Sequence, residues 1–187
     1  MKLITKRLIL REPKLKDAED IAEQADNLKV SKLMCPLPYP YTIKDAKGFI
    51  EDCNKRAKEK PRKHYSCVIK LKEEEKVIGI ITLEGINYFE GYGDYGYWLG
   101  EKYWRLGIMS EALEAFINFA FTKLKLKRLQ IACFVENKGS EVVAKKMGFK
   151  LEGTIRQGSR SKATGKTHNH HIYGLLKEEW RKAEKRG

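Results

Sequence analysis

Long apolar runs are missing from this 187-residue chain. No stretch approaches the roughly 18 uninterrupted apolar residues that a membrane-crossing helix needs. The opening segment Met1–Glu12 alternates basic and apolar residues and lacks the continuous apolar core of a secretory signal. Cysteine is scarce: Cys35, Cys53, Cys67 and Cys133 contain no CxxC pair. That spacing disfavours a disulfide framework and fits reduced, buried thiols of a cytoplasmic protein. Proline is limited to five residues, three of them crowded into Cys35–Tyr41. Repeats, low-complexity tracts and linkers are also absent. At about 150 residues per domain, one domain over residues 1–187 is expected.

Charge is what the chain has in excess. Lys and Arg number 38 against 25 Asp and Glu, a net charge of +13, while the hydrophobic share is 42%. That apolar share is ordinary and excludes a disordered chain. The positive excess suits anionic partners such as nucleotides, nucleic acid or an acidic surface, and it serves solubility equally well. The basic residues concentrate at Lys55–Lys63, Lys123–Arg128 and Arg181–Arg186, without interleaved aromatics.

Periodicity gives the element order. Lys2–Arg11 alternates and predicts a strand; Leu15–Leu28 predicts a helix with Asp17 and Asp20 in its first turn. Cys35–Tyr41 is a loop because its prolines forbid a ladder or helix. Thr42 and Asp45 have capping-box spacing, which predicts a helix to about Lys58. His64–Leu71 and Lys76–Leu83 predict a hairpin, Asp94–Gly100 a third strand. Met109, Ala112, Leu113, Phe116, Ile117, Ala120 and Leu124 form one apolar face of a helix from about Gly107 to Leu124. A strand at Arg128–Val135, a helix at Asn137–Met147 closed by Gly148, strands at Lys150–Gln157 and His171–Leu176, and a charged helix at Lys177–Arg186 complete the chain. The result is an α/β (α+β) domain with a mixed, largely antiparallel sheet.

Two motifs are misleading. Gly91–Gly96 fits G-x-G-x-x-G, but a dinucleotide site needs a helix after it, and Tyr97-Trp98-Leu99 reads as strand. His168-Asn169-His170-His171 suggests a metal site, yet on a strand only His168 and His170 share a face, and no nearby cysteine completes a zinc site. No metal is expected.

The segment Tyr95–Leu113 carries the chemistry. A strand ends near Gly100, and a long helix begins near Gly107. A helix start leaves about four backbone N–H groups unpaired, and these, with the helix dipole, make an anion site. Gly107 permits close approach to the backbone, and Lys102 and Arg105 add positive charge. An ordinary strand–helix connection is the alternative.

Tyr103-Trp-Arg-Leu-Gly-Ile-Met-Ser-Glu-Ala-Leu113 resembles the acetyl-CoA loop and helix of GNAT-type N-acetyltransferases, closest to the RimJ/RimL-like ribosomal-protein N-terminal acetyltransferases. Thr5–Arg11 resembles their first strand, Val135–Thr154 their segment with an Asn beside the CoA arm, and His168–Trp180 their closing strand. Arg105 stands where the family usually has Gly, Met109 where Gly or Ala is common, and Asn169 replaces an Asp. The resemblance implies a single GNAT domain that transfers acetyl from acetyl-CoA to an amine by direct attack. It implies cofactor contacts from Leu99, Trp104, Arg105, Leu106, Gly107, Ile108, Met109, Ser110 and Asn137. Asp94 is the first candidate base and Glu84 the second; a turn Asp and a solvent-facing Glu are their structural alternatives. Ser140 is the candidate acid for the departing thiolate, or a helix cap.

The acceptor implied is a protein N-terminus, with ribosome or RNA proximity suited to the basic surface and a monomer or homodimer as the assembly. A small amine, such as a polyamine or aminoglycoside, would instead need an acidic cleft from Glu84, Glu90, Asp94 and Glu101. A non-catalytic nucleotide- or RNA-binding module is the third reading. Glu152 and Ser159–Lys166 are further candidates for the acceptor cleft.

Overall fold

A computed structural model describes residues 1–184 except Glu75. The single strand expected at Lys2–Arg11 is instead a hairpin, β1 (Lys2–Ile4) and β2 (Leu8–Arg11). Its turn closes with the Thr5 N–H donating to the Leu8 carbonyl at 3.0 Å. Alternation continues through such a hairpin, so the pattern alone does not reveal the turn. The helix expected at Leu15–Leu28 also divides. A 3-10 turn leads into α1 (Ala18–Ala25), the chain breaks at Asp26, and Asn27 caps a short α2 (Leu28–Ser31).

The cap at Thr42 forms as expected. The N–H and hydroxyl of Thr42 donate to Asp45, whose own N–H donates back to the Thr42 hydroxyl, and α3 runs Ile43–Arg56. The next strands are β3 (Tyr65–Leu71), β4 (Val77–Asn87) and β5 (Tyr92–Leu99). Of Gly91–Gly96, only Gly91 lies in the turn; residues 92–96 are already in β5, and no helix directly follows the motif. Then come α4 (Ile108–Thr122), β6 (Arg128–Phe134) and α5 (Lys138–Lys146). β7 (Lys150–Arg160) and β8 (Thr167–Leu176) exceed the strands expected there, and α6 spans Lys177–Glu184. The expected end of that helix at Arg186 lies outside the described residues.

All eight strands join one sheet in the order β1-β2-β3-β4-β5-β6-β8-β7. Every ladder is antiparallel except β5 with β6. The sheet separates two apolar layers. On one face, Leu8, Ile81, Tyr95, Leu99 and Ile131 pack under α4, where Phe116 is fully buried. A ring buried there contributes about 3–5 kcal/mol by the cost of truncation. On the other face, Val68, Ile80 and Trp98 pack under α1 and α3. This second layer stops at β5, so the same face of β6, β7 and β8 carries no helix of that layer. Among the described residues, no helix is long and apolar enough to cross a membrane.

Candidate active site at the sheet fork

The parallel rungs between β5 and β6 run Tyr92–Arg128, Gly93–Leu129, Asp94–Gln130 and Tyr95–Ile131, and then stop. β5 continues to Leu99 and β6 to Phe134, so the two strands part beyond Tyr95 and Ile131. Main-chain polar groups alternate in direction along a strand. The Gly100 N–H donates to the Ile78 carbonyl at 2.9 Å on the β4 side. The N–H and C=O groups of Tyr97 and Leu99 therefore point into the fork. The Leu99 carbonyl is already engaged by the Trp104 indole N–H at 2.8 Å. The free main-chain groups are the Leu99 N–H and both groups of Tyr97, a row suited to an extended, amide-containing arm.

Beyond the fork, Arg105 and Gly107 adopt left-handed backbone with φ of 62° and 73°. The glycine that the resemblance implies at the position of Arg105 suits that angle, which costs a non-glycine residue of order 1 kcal/mol or more. Gly107 caps α4 with no side-chain bond, and the first intrahelical bond is from the Glu111 N–H to the Gly107 carbonyl at 3.1 Å. The N–H groups ahead of Glu111 are left for an anion. Arg105, Leu106 and Gly107 are exposed, while Ile108, Met109 and Ser110 are buried at the helix start. The donor set fits the pyrophosphate and arm of an acetyl-CoA: unpaired N–H groups, a positive helix end, and a strand edge with free amide partners.

On the α5 side of the fork, Ser140 Oγ lies 2.9 Å from the Tyr97 hydroxyl. Burial pushes the Cys133 thiol up in pKa, and the neighbouring Ser140 partly lowers it. Burial likewise pushes the Tyr97 phenol up, against the Ser140 bond. Ser140 is thus not the helix cap. Asn137 is: its Oδ1 accepts from the Ser140 N–H at 3.0 Å, and its Nδ2 donates to the Leu33 carbonyl at 3.4 Å. The Asn137 amide, implied to hold the CoA arm, here ties α5 to the end of α2.

The carboxylates occupy the opposite face. Asp94 directly precedes the last rung between β5 and β6 and sits opposite Glu84 of β4. Gln130 Nε2 donates to Asp94 Oδ1 at 2.8 Å. Burial raises the Asp94 pKa above the ordinary carboxylate value, and bonds from Tyr92 and Gln130 only partly offset it. Glu84 is exposed, with His64 Nε2 at 3.6 Å from its Oε2. The acidic cleft expected from Glu84, Glu90, Asp94 and Glu101 does not form. Glu90 bonds Asn87, and Glu101 is held by Asn27 and Lys29 past the far end of β5, about 23 Å along the chain from Asp94 at ~3.3 Å per residue.

His168 and His170 share a face as expected, and both lie against Phe134, with ring centroids at 4.3 and 5.1 Å. His171 instead bonds Thr154. Glu152 pairs with Arg128, whose Nη2 also donates to Gln130, so Glu152 joins the polar row that ends at Asp94. The Ser159–Lys166 segment closes on the proline loop: the Lys162 N–H donates to the Cys35 carbonyl at 3.2 Å. Tyr97 and Gln130 join the candidate site through Ser140 and Asp94, although no motif in the sequence marks them out. Tyr97 could have been found, since it alternates with Leu99 along β5, whereas only the β5–β6 register brings Gln130 to Asp94.

These features define an acetyltransferase of the GNAT class. The family model described as "Acetyltransferase (GNAT) domain" matches residues 7–150, and the chain belongs to this family, whose acyl donor is acetyl-CoA. Among particular relatives, the uncharacterized N-acetyltransferase p20 of Bacillus licheniformis is 30% identical over 178 residues, 95% of this chain and 97% of that protein. The ribosomal-protein-serine acetyltransferase of Escherichia coli (strain K12) is 36% identical over 93 residues, 50% of this chain and 52% of that protein. The microcin C7 self immunity acetyltransferase MccE, solved with acetyl-CoA and AMP, is 26% identical with a TM-score of 0.79, covering 91% of this chain and 93% of that one. RimL, solved with coenzyme A, shares the fold with a TM-score of 0.81 at 20% identity, covering 93% of this chain and 96% of that one.

Proposed function

We propose that the chain acetylates the α-amino group of a protein or peptide, with Asp94 as the base. The observation that carries this reading is the place of Asp94: one residue before the strands part, on the sheet face opposite α4. An acceptor entering from that face meets the base while the acyl donor lies in the fork. The group bound there supplies an activated thioester. The N–H groups of residues 105–110 hold its pyrophosphate, and the free groups of Tyr97 and Leu99 pair with its arm. One of their N–H groups polarises the thioester carbonyl. Trp104 holds the end of β5 in place through the Leu99 carbonyl, and the Asn137 Nδ2, on its long bond to Leu33, turns to an arm amide.

Asp94 takes a proton from the acceptor amine, directly or through one water. Glu84, across the ladder and open to solvent, passes that proton outward. Ser140 Oγ, held by the Tyr97 hydroxyl, donates to the departing thiolate, and a proton from solvent restores it once CoA leaves. The nucleophile must be a free amine. At pH 7 about a tenth of an α-amine is free base, against about 1 in 2,500 of a lysine amine. This favours a chain terminus as acceptor. The relative named as a ribosomal-protein-serine acetyltransferase supports a ribosomal protein as the acceptor, and a surface of +13 suits work near RNA phosphate. The scattered acids give a small polycation no matching cleft.

A thiol-release assay tests this reading, with ribosomal-protein N-terminal peptides, spermidine and an aminoglycoside as acceptors. Release with peptides bearing a free N-terminus, abolished by blocking that terminus, is expected. Release with spermidine or the aminoglycoside alone overturns the acceptor assignment.

A further inference from the structure

The turn between β1 and β2 is bolted to the start of α4. Thr5 Oγ1 donates to Glu111 Oε1 at 2.6 Å, and the Arg7 N–H donates to the same oxygen at 2.7 Å. Arg7 Nε donates to Glu111 Oε2 at 2.6 Å, and Arg7 Nη1 to the Leu106 carbonyl at 3.0 Å. The Leu8 N–H donates to Thr5 Oγ1 at 3.0 Å, which fixes the turn itself. A Cβ on Gly107 would sit 3.6 Å from Arg7 Nη2, so the guanidinium lies against the loop.

We propose that Arg7 is a positioning residue for acetyl-CoA, cancelling the Glu111 carboxylate and turning the Leu106 carbonyl away from the pyrophosphate. The inference rests on the reading that the loop before α4 holds that pyrophosphate. Glu111 lies in the first turn of α4, the helix end assigned to the anion. Burial alone would raise the pKa of its carboxyl, but the bonds from Thr5 and Arg7 hold it below the ordinary range, so it is ionised at neutral pH. An uncancelled carboxylate there repels the phosphates. Leu106 lies between the left-handed residues Arg105 and Gly107, where a peptide reorientation would aim its carbonyl at the anion. Arg7 opposes both effects through one planar group, and a lysine ammonium cannot make the same set of bonds.

The test compares Arg7→Met, Arg7→Lys, Glu111→Gln and the Arg7→Met/Glu111→Gln pair. The readouts are calorimetric Kd for CoA, KM and kcat for acetyl-CoA and for S-acetyl-pantetheine, and Tm. Arg7→Met raises the Kd for CoA about 10–100-fold, the size of a lost set of charge-assisted bonds. KM for acetyl-CoA rises with it, while kcat stays within about threefold. KM for S-acetyl-pantetheine, which has no pyrophosphate, hardly moves. Glu111→Gln recovers most of the CoA affinity in the Arg7→Met background, and Arg7→Lys falls in between. If Arg7→Met fails to fold, the pair and Arg7→Lys decide. A pair that binds CoA no better than Arg7→Met, or an equal loss with S-acetyl-pantetheine, overturns the proposal, because a purely structural strap would behave so. Gly107→Val separates the underlying reading: unchanged CoA binding there removes the loop as the site, whereas weakened binding beside an unaffected Arg7→Met removes Arg7 alone.

Discussion

Along β5 and into α4, the fork presents main-chain groups from one continuous segment, Tyr95–Ser110. On the sheet face opposite α4, a row of side chains leads up to it: Glu152 from β7, Arg128 and Gln130 from β6, and Asp94 from β5, with Glu84 of β4 opposite Asp94. The first wall is made by backbone direction, so it tolerates side-chain change; Arg105 takes a left-handed angle at the position where the family resemblance implies glycine. The second wall depends on which side chain stands at each position. Under the proposed function, cofactor binding is accordingly set by conformation and acceptor chemistry by residue identity.

Substitutions can break this contrast on either side. The largest effect belongs to the side-chain wall: Asp94→Asn lowers kcat at neutral pH by about 10²–10⁴, the usual worth of a general base. Its CoA Kd stays within twofold by calorimetry, and its Tm does not fall because a desolvated carboxylate is removed. Gly107→Val attacks the backbone wall. A branched residue at φ 73° is strained by about 1–3 kcal/mol, so CoA affinity falls about 10–100-fold. Ser140→Ala removes the proposed acid and a partner of Tyr97; stopped-flow release of CoA slows about tenfold, with KM for acetyl-CoA little changed. Thr42→Ala, remote from both walls, costs about 1 kcal/mol in urea unfolding and leaves kcat and KM unaltered.

The same contrast governs what the sequence could reveal. The Thr42–Asp45 cap and the apolar face of α4 were legible because their signals lie within one or two helical turns. The loop at 104–110 was legible by resemblance, and the angle of Arg105 explains the departure noted there. The β1–β2 hairpin was not legible, since both strands and the turn preserve alternation. Nor were the limits of β7, whose largely exposed residues give no apolar rhythm to follow. Leu15–Leu28 lacked a strong breaker, and only Asn27, suited to capping, marked the restart of the helix. The fork, the Ser140–Tyr97 contact and the Arg7–Glu111 strap join residues up to 104 positions apart. No local pattern encodes such pairings, and the expected cluster of four acids failed for the same reason.

The role of Asp94 as the base is tested most directly by the pH profile of kcat/KM for an N-terminal peptide, measured in the wild type and in Asp94→Asn. Two groups must lose a proton before reaction: the acceptor amine, near pH 8, and Asp94, whose burial lifts it above the ordinary carboxylate value. The wild-type rate is expected to fall tenfold per pH unit below the amine pKa, then a hundredfold per unit below that of Asp94. Asp94→Asn should be slower throughout and keep only the tenfold slope. A second break that persists in Asp94→Asn, or equal rates for the two proteins across the range, would contradict the assignment of Asp94 as the base.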